Sequence, residues 1–255
     1  MFMRHLLQIT AAFAILATAA CGTDVAFWKP YTPDARTYAL ISFDGTNPLS
    51  GAGLIREPGR CVGGASVVSE GRFGKGVRLD GSGYAAFPTA PFDPGAMAIH
   101  PSNLNFSAEA WVKLDRLPDA GKSAVIVFRP DGQGSIGFSL FVDADGALGM
   151  RIKPLDRAAA VWRSTPGQVQ PGTWVHLAGV SWGGHLSVGR DSLFVDGREV
   201  YNGPGSGAVG TIAEAAPGDL YVGGTPDGSN LVGVVDEVRV HALIARFWPP
   251  DPMPW

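Results

Sequence analysis

The sequence predicts an all-β protein folded as an antiparallel β-sandwich. Three observations carry that prediction. Hairpin signals follow one another through Trp174–Gly197 with no helical stretch between them. Short runs of alternating polarity recur roughly every 8–12 residues, bounded by Gly, Pro, Asn or Asp. Helical periodicity is nearly absent beyond the apolar N-terminal run. The composition agrees: 35 Gly and 20 Pro among 255 residues, with 17% charged, suit many short strands joined by turns. No linker divides the interior, so one domain is expected. The net charge of −3 and the lack of a basic stripe with interleaved aromatics argue against nucleic acid as a partner.

The N-terminus reads as a processing segment. Met1–His5 is positive through Arg4, and Leu6–Ala20 is apolar apart from Gln8 and Thr10. That run is too short for a comfortable membrane span, so residues 1–20 read as a secretory signal peptide. Thr18-Ala19-Ala20-Cys21-Gly22 resembles a bacterial lipobox, although Thr18 stands where leucine is usual. On that reading Cys21 is the lipidated first residue and anchors the protein in a membrane. Gly22 does not look like an inner-membrane retention signal, so an outer-membrane or cell-surface lipoprotein is expected. Ala17-Thr18-Ala19 also suits ordinary signal peptidase, which would give a secreted protein whose Cys21 could pair with Cys61. With Cys21 lipidated, Cys61 is a lone thiol, expected to be buried and inert. No Cys/His spacing resembles a zinc site. Residues 21–36, with Trp28, Pro30 and Pro33, read as a tether without regular structure.

The sandwich is expected over residues 37–247. Thr37–Phe43 is its first strand and Asp44–Pro48 the loop after it. Cys61–Val68 is a second apolar segment. Gly71–Gly81 gives a turn and a strand with Val77 and Leu79 on one face. Tyr84–Phe87 is a short strand and Pro88–Asn105 a long loop. In Phe106–Leu114, period two puts Phe106, Ala108, Ala110 and Val112 toward the opposite sheet. Ser107, Glu109, Trp111 and Lys113 then take the outer face, expected to be concave. Ala124–Phe128 and Ile136–Val142 are strands, and Asp145-Gly146 turns the chain into Ala147–Lys153. Pro171-Gly172 precedes the strand Trp174–Val180, and Trp182–His185 reads as a turn. Leu193–Val195 is a strand ending at Asp196-Gly197, which suits the positive dihedrals of a tight hairpin and starts a third strand near Arg198–Tyr201. Leu220–Gly224 and Val232–Val240 are the last strands. Ala242–Phe247 could form a helical turn. Residues 248–255 form a Pro-rich tail that cannot hold a helix.

Five pieces resemble, in order, the laminin-G-like, concanavalin A-like domains found on many secreted bacterial proteins. They are G-R-F-G-K-G-V-R-L-D-G from Gly71, F-S-A-E-A-W-V-K from Phe106, W-V-H-L-A-G-V with L-F-V-D-G in the central stretch, L-Y-V-G-G from Leu220 and V-D-E-V-R-V from Val235. The similarity covers roughly residues 37–245 and implies a jelly-roll sandwich. This fold hosts lectins, glycosidases, lyases and adhesion modules, so it names no chemistry by itself.

Enzyme chemistry finds little support. A retaining glycosidase of this fold carries E-x-D-x-x-E on one strand, because its two carboxylates must lie roughly 5 Å apart. No such strand exists. Glu109 stands alone, and Asp236 and Glu237 are adjacent, so a straight strand would point them to opposite faces. His176 lacks the Tyr/His/Gln strand motif of a lyase, and the family places a histidine there routinely, which favours a structural role. No G-x-S-x-G elbow appears.

Related domains often hold a calcium ion, which implies Asp44 and Asp236 as side-chain donors, although Asp44 could simply cap a turn. If the Phe106 and Val235 strands share a sheet, Glu109, Trp111, Glu237 and Arg239 cluster on its outer face. That set suits a sugar site, an aromatic platform with charged hydrogen-bonders. It equally suits an Arg stacked on Trp and paired to Glu to stiffen the face. The loops near Trp162, Trp182, His185 and Asp227 are the alternative ligand site. The sequence reading is therefore an exported, non-catalytic binding or adhesion module for polysaccharide or glycoprotein. The alternatives are a glycan-active hydrolase or lyase, and a structural cell-envelope protein that binds another protein.

Overall fold

The computed structural model describes residues 30–90, 105–130, 137–153, 158–182, 190–204 and 218–241. These residues contain strands and no helix. In chain order the strands are β1 (Thr37–Ile41), β2 (Ala52–Gly53), β3 (Arg60–Val62), β4 (Ala65–Val68), β5 (Gly76–Asp80), β6 (Tyr84–Thr89), β7 (Asn105–Leu114) and β8 (Ser123–Arg129). They continue with β9 (Gly137–Asp143), β10 (Leu148–Lys153), β11 (Ala160–Arg163), β12 (Val175–Trp182), β13 (Arg190–Val195), β14 (Arg198–Pro204), β15 (Gly218–Val222) and β16 (Val232–His241).

Two antiparallel sheets form. The nine-stranded sheet runs β14-β13-β12-β7-β16-β1-β2, with β5 also on β16 and β4 on β5. The seven-stranded sheet runs β11-β10-β9-β8-β15-β6-β3. Period two decides what lies between them. Ala108, Ala110, Val112 and Leu114 of β7 join the core with Val77 and Leu79 of β5. From the facing sheet come Ile126, Phe138, Leu140, Met150 and Leu220, each at most 1% exposed. Each large aliphatic removed from water this way contributes about 1.5–3 kcal/mol.

The central hairpins form as the sequence indicates. β12 pairs β13 and β13 pairs β14. Asp196 and Gly197 connect the last two at φ 49° and 74°, the left-handed pair a tight turn needs.

Two local features differ from expectation. Residues Ala160–Arg163 form β11, a strand the sequence did not announce, and Trp162 on it is buried in the core. The last strand is not straight. Its register against β7 shifts between Asp236 and Arg239, and Glu237 sits at φ 49°. Val235, Val238 and Val240 all join the core, so Asp236 and Glu237 both turn outward, where a straight strand would have separated them. The expected signal peptide, Cys21, the expected tether up to residue 29, residues 183–185 and most of 88–105, the helical turn expected over 242–247 and the expected tail lie outside the described residues.

Candidate functional site

β7 and β16 are neighbours, and their register sets Arg239 against Glu109 and Asp236 against Trp111. The outward side chains of Glu109, Trp111, Glu237 and Arg239 therefore share one region, as expected from the sequence. They do not lie open. Glu109 is 1% exposed, Trp111 7% and Glu237 0%.

Glu109 is the hub. One of its oxygens pairs with the Arg239 guanidinium. The other lies 3.0 Å from His176 Nε2 and accepts the Tyr31 hydroxyl at 3.0 Å. Tyr31 and His176 also meet, Oη to Nε2, at 2.7 Å. Burial alone would raise the Glu109 carboxyl, but hydrogen bonds and charge from His176 and Arg239 outweigh it and hold the group below its ordinary value. Desolvation, with Glu109 beside it, pushes the Tyr31 phenol well above its ordinary value. Tyr31 thus donates a proton it does not release.

Arg239 stacks on Tyr31, 4.1 Å from guanidinium carbon to ring centroid, and not on Trp111. Trp111 is covered by Arg72 at 4.6 Å and by the edge of Phe73, with ring centroids 5.7 Å apart. The arginine that covers Trp111 and the arginine that pairs with Glu109 are thus two residues, where the sequence suggested one. Arg72, Phe73 and Tyr31 are the partners that sequence reasoning missed. Tyr31 sits in a proline-containing stretch with no strand signal, so nothing local announced its role.

Residues 30–36 form no strand, yet they are pinned. The Tyr31 amide donates to Glu237 Oε2 at 2.9 Å, and Asp34 accepts His241 Nε2 at 3.0 Å. Asp34 also takes the Arg36 amide at 2.9 Å, a local turn that turns the segment into β1. Partial burial opposes the Asp34 charge, but the Arg36 amide and His241 outweigh it and keep its carboxyl below the ordinary range.

The expected calcium donors lie close together. Asp44 Oδ1 accepts the Lys75 amide at 2.7 Å, and Asp236 accepts the amides of Phe73 at 3.0 Å and Glu237 at 2.7 Å. Burial pushes Asp236 up to about 6 and Glu237 up to about 7, and the Asp44 charge adds to both. Glu237 Oε1 is buried without a partner among the described residues. An all-oxygen donor set with surplus negative charge fits a hard cation. Among the described residues no three His, Cys, Asp or Glu side chains converge as a metal group, so backbone carbonyls would have to complete the shell.

Of the alternative loop residues, Trp162 is buried in β11 and Trp182 ends β12. Asp227 accepts the Thr225 hydroxyl within its own turn, and His185 lies outside the described residues. Cys61, on β3, is half-buried and forms no disulfide with a described residue, and burial pushes its thiol up.

No curated protein matches the sequence. Solved structures do match the fold. Domain 4 of AbnA, an extracellular arabinanase from Geobacillus stearothermophilus solved with arabinotriose, aligns with a TM-score of 0.54 and 19% identity, covering 81% of this chain and 92% of that one. The binding domain of botulinum neurotoxin DC, solved in complex with SialylT, aligns at 0.59 and 10%, covering 84% of this chain and 49% of its own. The binding domain of Paraclostridial Mosquitocidal Protein 1 aligns at 0.56 and 14%, covering 83% and 50%. This chain thus spans about half of the two toxin chains, and at such identities the likeness concerns the fold. Residues 79–244 match the laminin G family model described as Concanavalin A-like lectin/glucanases superfamily, and the chain belongs to that family.

Proposed function

We propose that the chain is a non-catalytic module of a bacterial envelope that binds polysaccharide or the glycan of a glycoprotein. The observation that carries this reading is the placement of the acids. Glu109, Asp236 and Glu237 are at most 1% exposed, so none of them faces an open groove. Glycoside hydrolysis needs two carboxyl groups flanking a bound sugar. On this reading Glu109, Trp111, Glu237 and Arg239 hold the face together instead of meeting a ligand. Fold neighbours solved with arabinotriose and SialylT, and botulinum neurotoxin type C, whose cell entry depends upon interaction with two ganglioside molecules, support the glycan as ligand class. A purely structural role with a protein partner is less well supported. Among the described residues Val161, at 44%, is the only large hydrophobic left exposed, so those residues offer no broad apolar patch.

The Leu6–Ala20 run and the Thr18–Cys21 sequence support export and a lipid anchor on Cys21. A calcium ion held through Asp44 and Asp236 would neutralise the carboxylates gathered there and tie the loop after β1 to the last strand. The test is a glycan array on the purified mature chain, with and without calcium, followed by an assay for new reducing ends. Retention without cleavage is the expected result. New reducing ends would transfer the protein to the glycan-active enzymes.

A further inference from the structure

In the middle of the nine-stranded sheet the outward residues Glu109, His176, Ala178 and Phe194 are each 6% exposed or less. On the seven-stranded sheet, Tyr84 of β6, Tyr221 of β15 and Phe128 of β8 remain half-exposed.

These rings come from three adjacent strands and sit in one cross-strand row. Tyr221 pairs with Phe128 on one side and Ala86 on the other. Tyr84 meets Tyr221 edge-on at 5.3 Å, and Phe128 stacks on Tyr221 at 5.9 Å with 29° between planes. Their neighbours Ala85, Ile126, Val127, Leu220 and Val222 all join the core, so the rings point away from it. Two strand gaps of about 4.8 Å give the floor a width of about 10 Å. At one end Arg60 and Asp219 pair at 2.7 Å, with side chains 56% and 22% exposed. At the other end Ser139, opposite Phe128 on β9, is buried and leaves the row open there.

We propose that this row is a binding site for a linear oligosaccharide. The inference rests on the glycan-binding reading above and assigns its surface. A sugar ring has an apolar C–H face and a rim of hydroxyls. The aromatic floor fits the first, and the tyrosine hydroxyls, Arg60 and Asp219 fit the second. A protein partner would want continuous apolar area, and this floor is narrow and ends in a charged pair on one side. Phenylalanine at position 221 preserves the floor, whereas alanine opens a gap in it.

The experiment is a glycan-array screen of the mature chain, followed by titration of the retained glycan against Tyr221→Ala, Phe128→Ala and Tyr221→Phe. Affinity is expected to fall tenfold or more in the two alanine variants and to stay within threefold in Tyr221→Phe. A second readout uses the wild-type chain, so it does not depend on variants that fold: bound glycan slows nitration of Tyr84 and Tyr221. Unchanged affinity in folded alanine variants, or unprotected tyrosines, overturns this site and leaves the glycan-binding reading standing. A wild-type chain that retains no glycan, or that holds a glycoprotein equally well after deglycosylation, overturns both.

Discussion

Glu109 shows how a buried acid is made tolerable in this fold. It is fully desolvated, yet Arg239, His176 and Tyr31 all turn toward it. Removing its charge strands Arg239, which is mostly buried. Glu109→Gln is therefore expected to lower unfolding free energy by about 3 kcal/mol, measured by urea denaturation. The pH dependence follows from its depressed carboxyl. In the unfolded chain a glutamate titrates near 4.3, so the Glu109 charge stabilises the fold fully above that value. The contribution fades as pH falls toward the lower folded value. Wild-type melting temperature should thus drop more steeply below about pH 4.3 than that of Glu109→Gln, and parallel acid limbs would show that Glu109 is not ionised in the fold. Trp111 behaves as a packing residue, covered by Arg72 and Phe73. Trp111→Ala is expected to cost about 3–5 kcal/mol of stability by the same measurement.

Among the elements, the segment before β1 is the least expected. Residues ending a proline-containing tether seat a phenol among buried charges and tie Asp34 to His241. Tyr31→Phe keeps the ring on Arg239 but loses the hydroxyl, and it should cost about 1–3 kcal/mol. Tyr31→Ala should in addition speed proteolytic cleavage near residue 36, and an unchanged cleavage rate would show that the segment is not held by that side chain. The Asp196-Gly197 turn is the opposite case, fully legible beforehand. Gly197 has φ 74°, so Gly197→Val should destabilise by about 1–2 kcal/mol in thermal unfolding. The difference between these elements is physical. A tight turn is written in two adjacent residues. The Tyr31 contacts join positions 78 and 145 residues apart, and no local pattern encodes them. The bulge at Glu237 was hidden for a related reason. Asp-Glu-Val-Arg reads as ordinary alternation, and only pairing with β7 exposes the extra residue that turns Asp236 and Glu237 to the same side. β11 escaped because four residues, A-V-W-R, carry too little alternation to register.

For the molecule as a whole, antiparallel layering was readable because hairpin chemistry and period two are repeated along much of the chain. Which sheet would be covered was not, since that depends on Tyr31, Arg72 and Phe73 arriving from distant segments. The sequence pointed to the β7–β16 face for recognition. There Glu109, Arg239, His176 and Tyr31 are paired with one another, and the half-exposed aromatic row lies on the other sheet. The most direct measurement compares glycan affinity and stability in one variant, Glu109→Gln combined with Arg239→Met, which removes both charges from the closed face. The account predicts unchanged affinity for the retained glycan with an altered melting temperature. Lost affinity in a variant that remains folded would place recognition on the closed face and contradict the account.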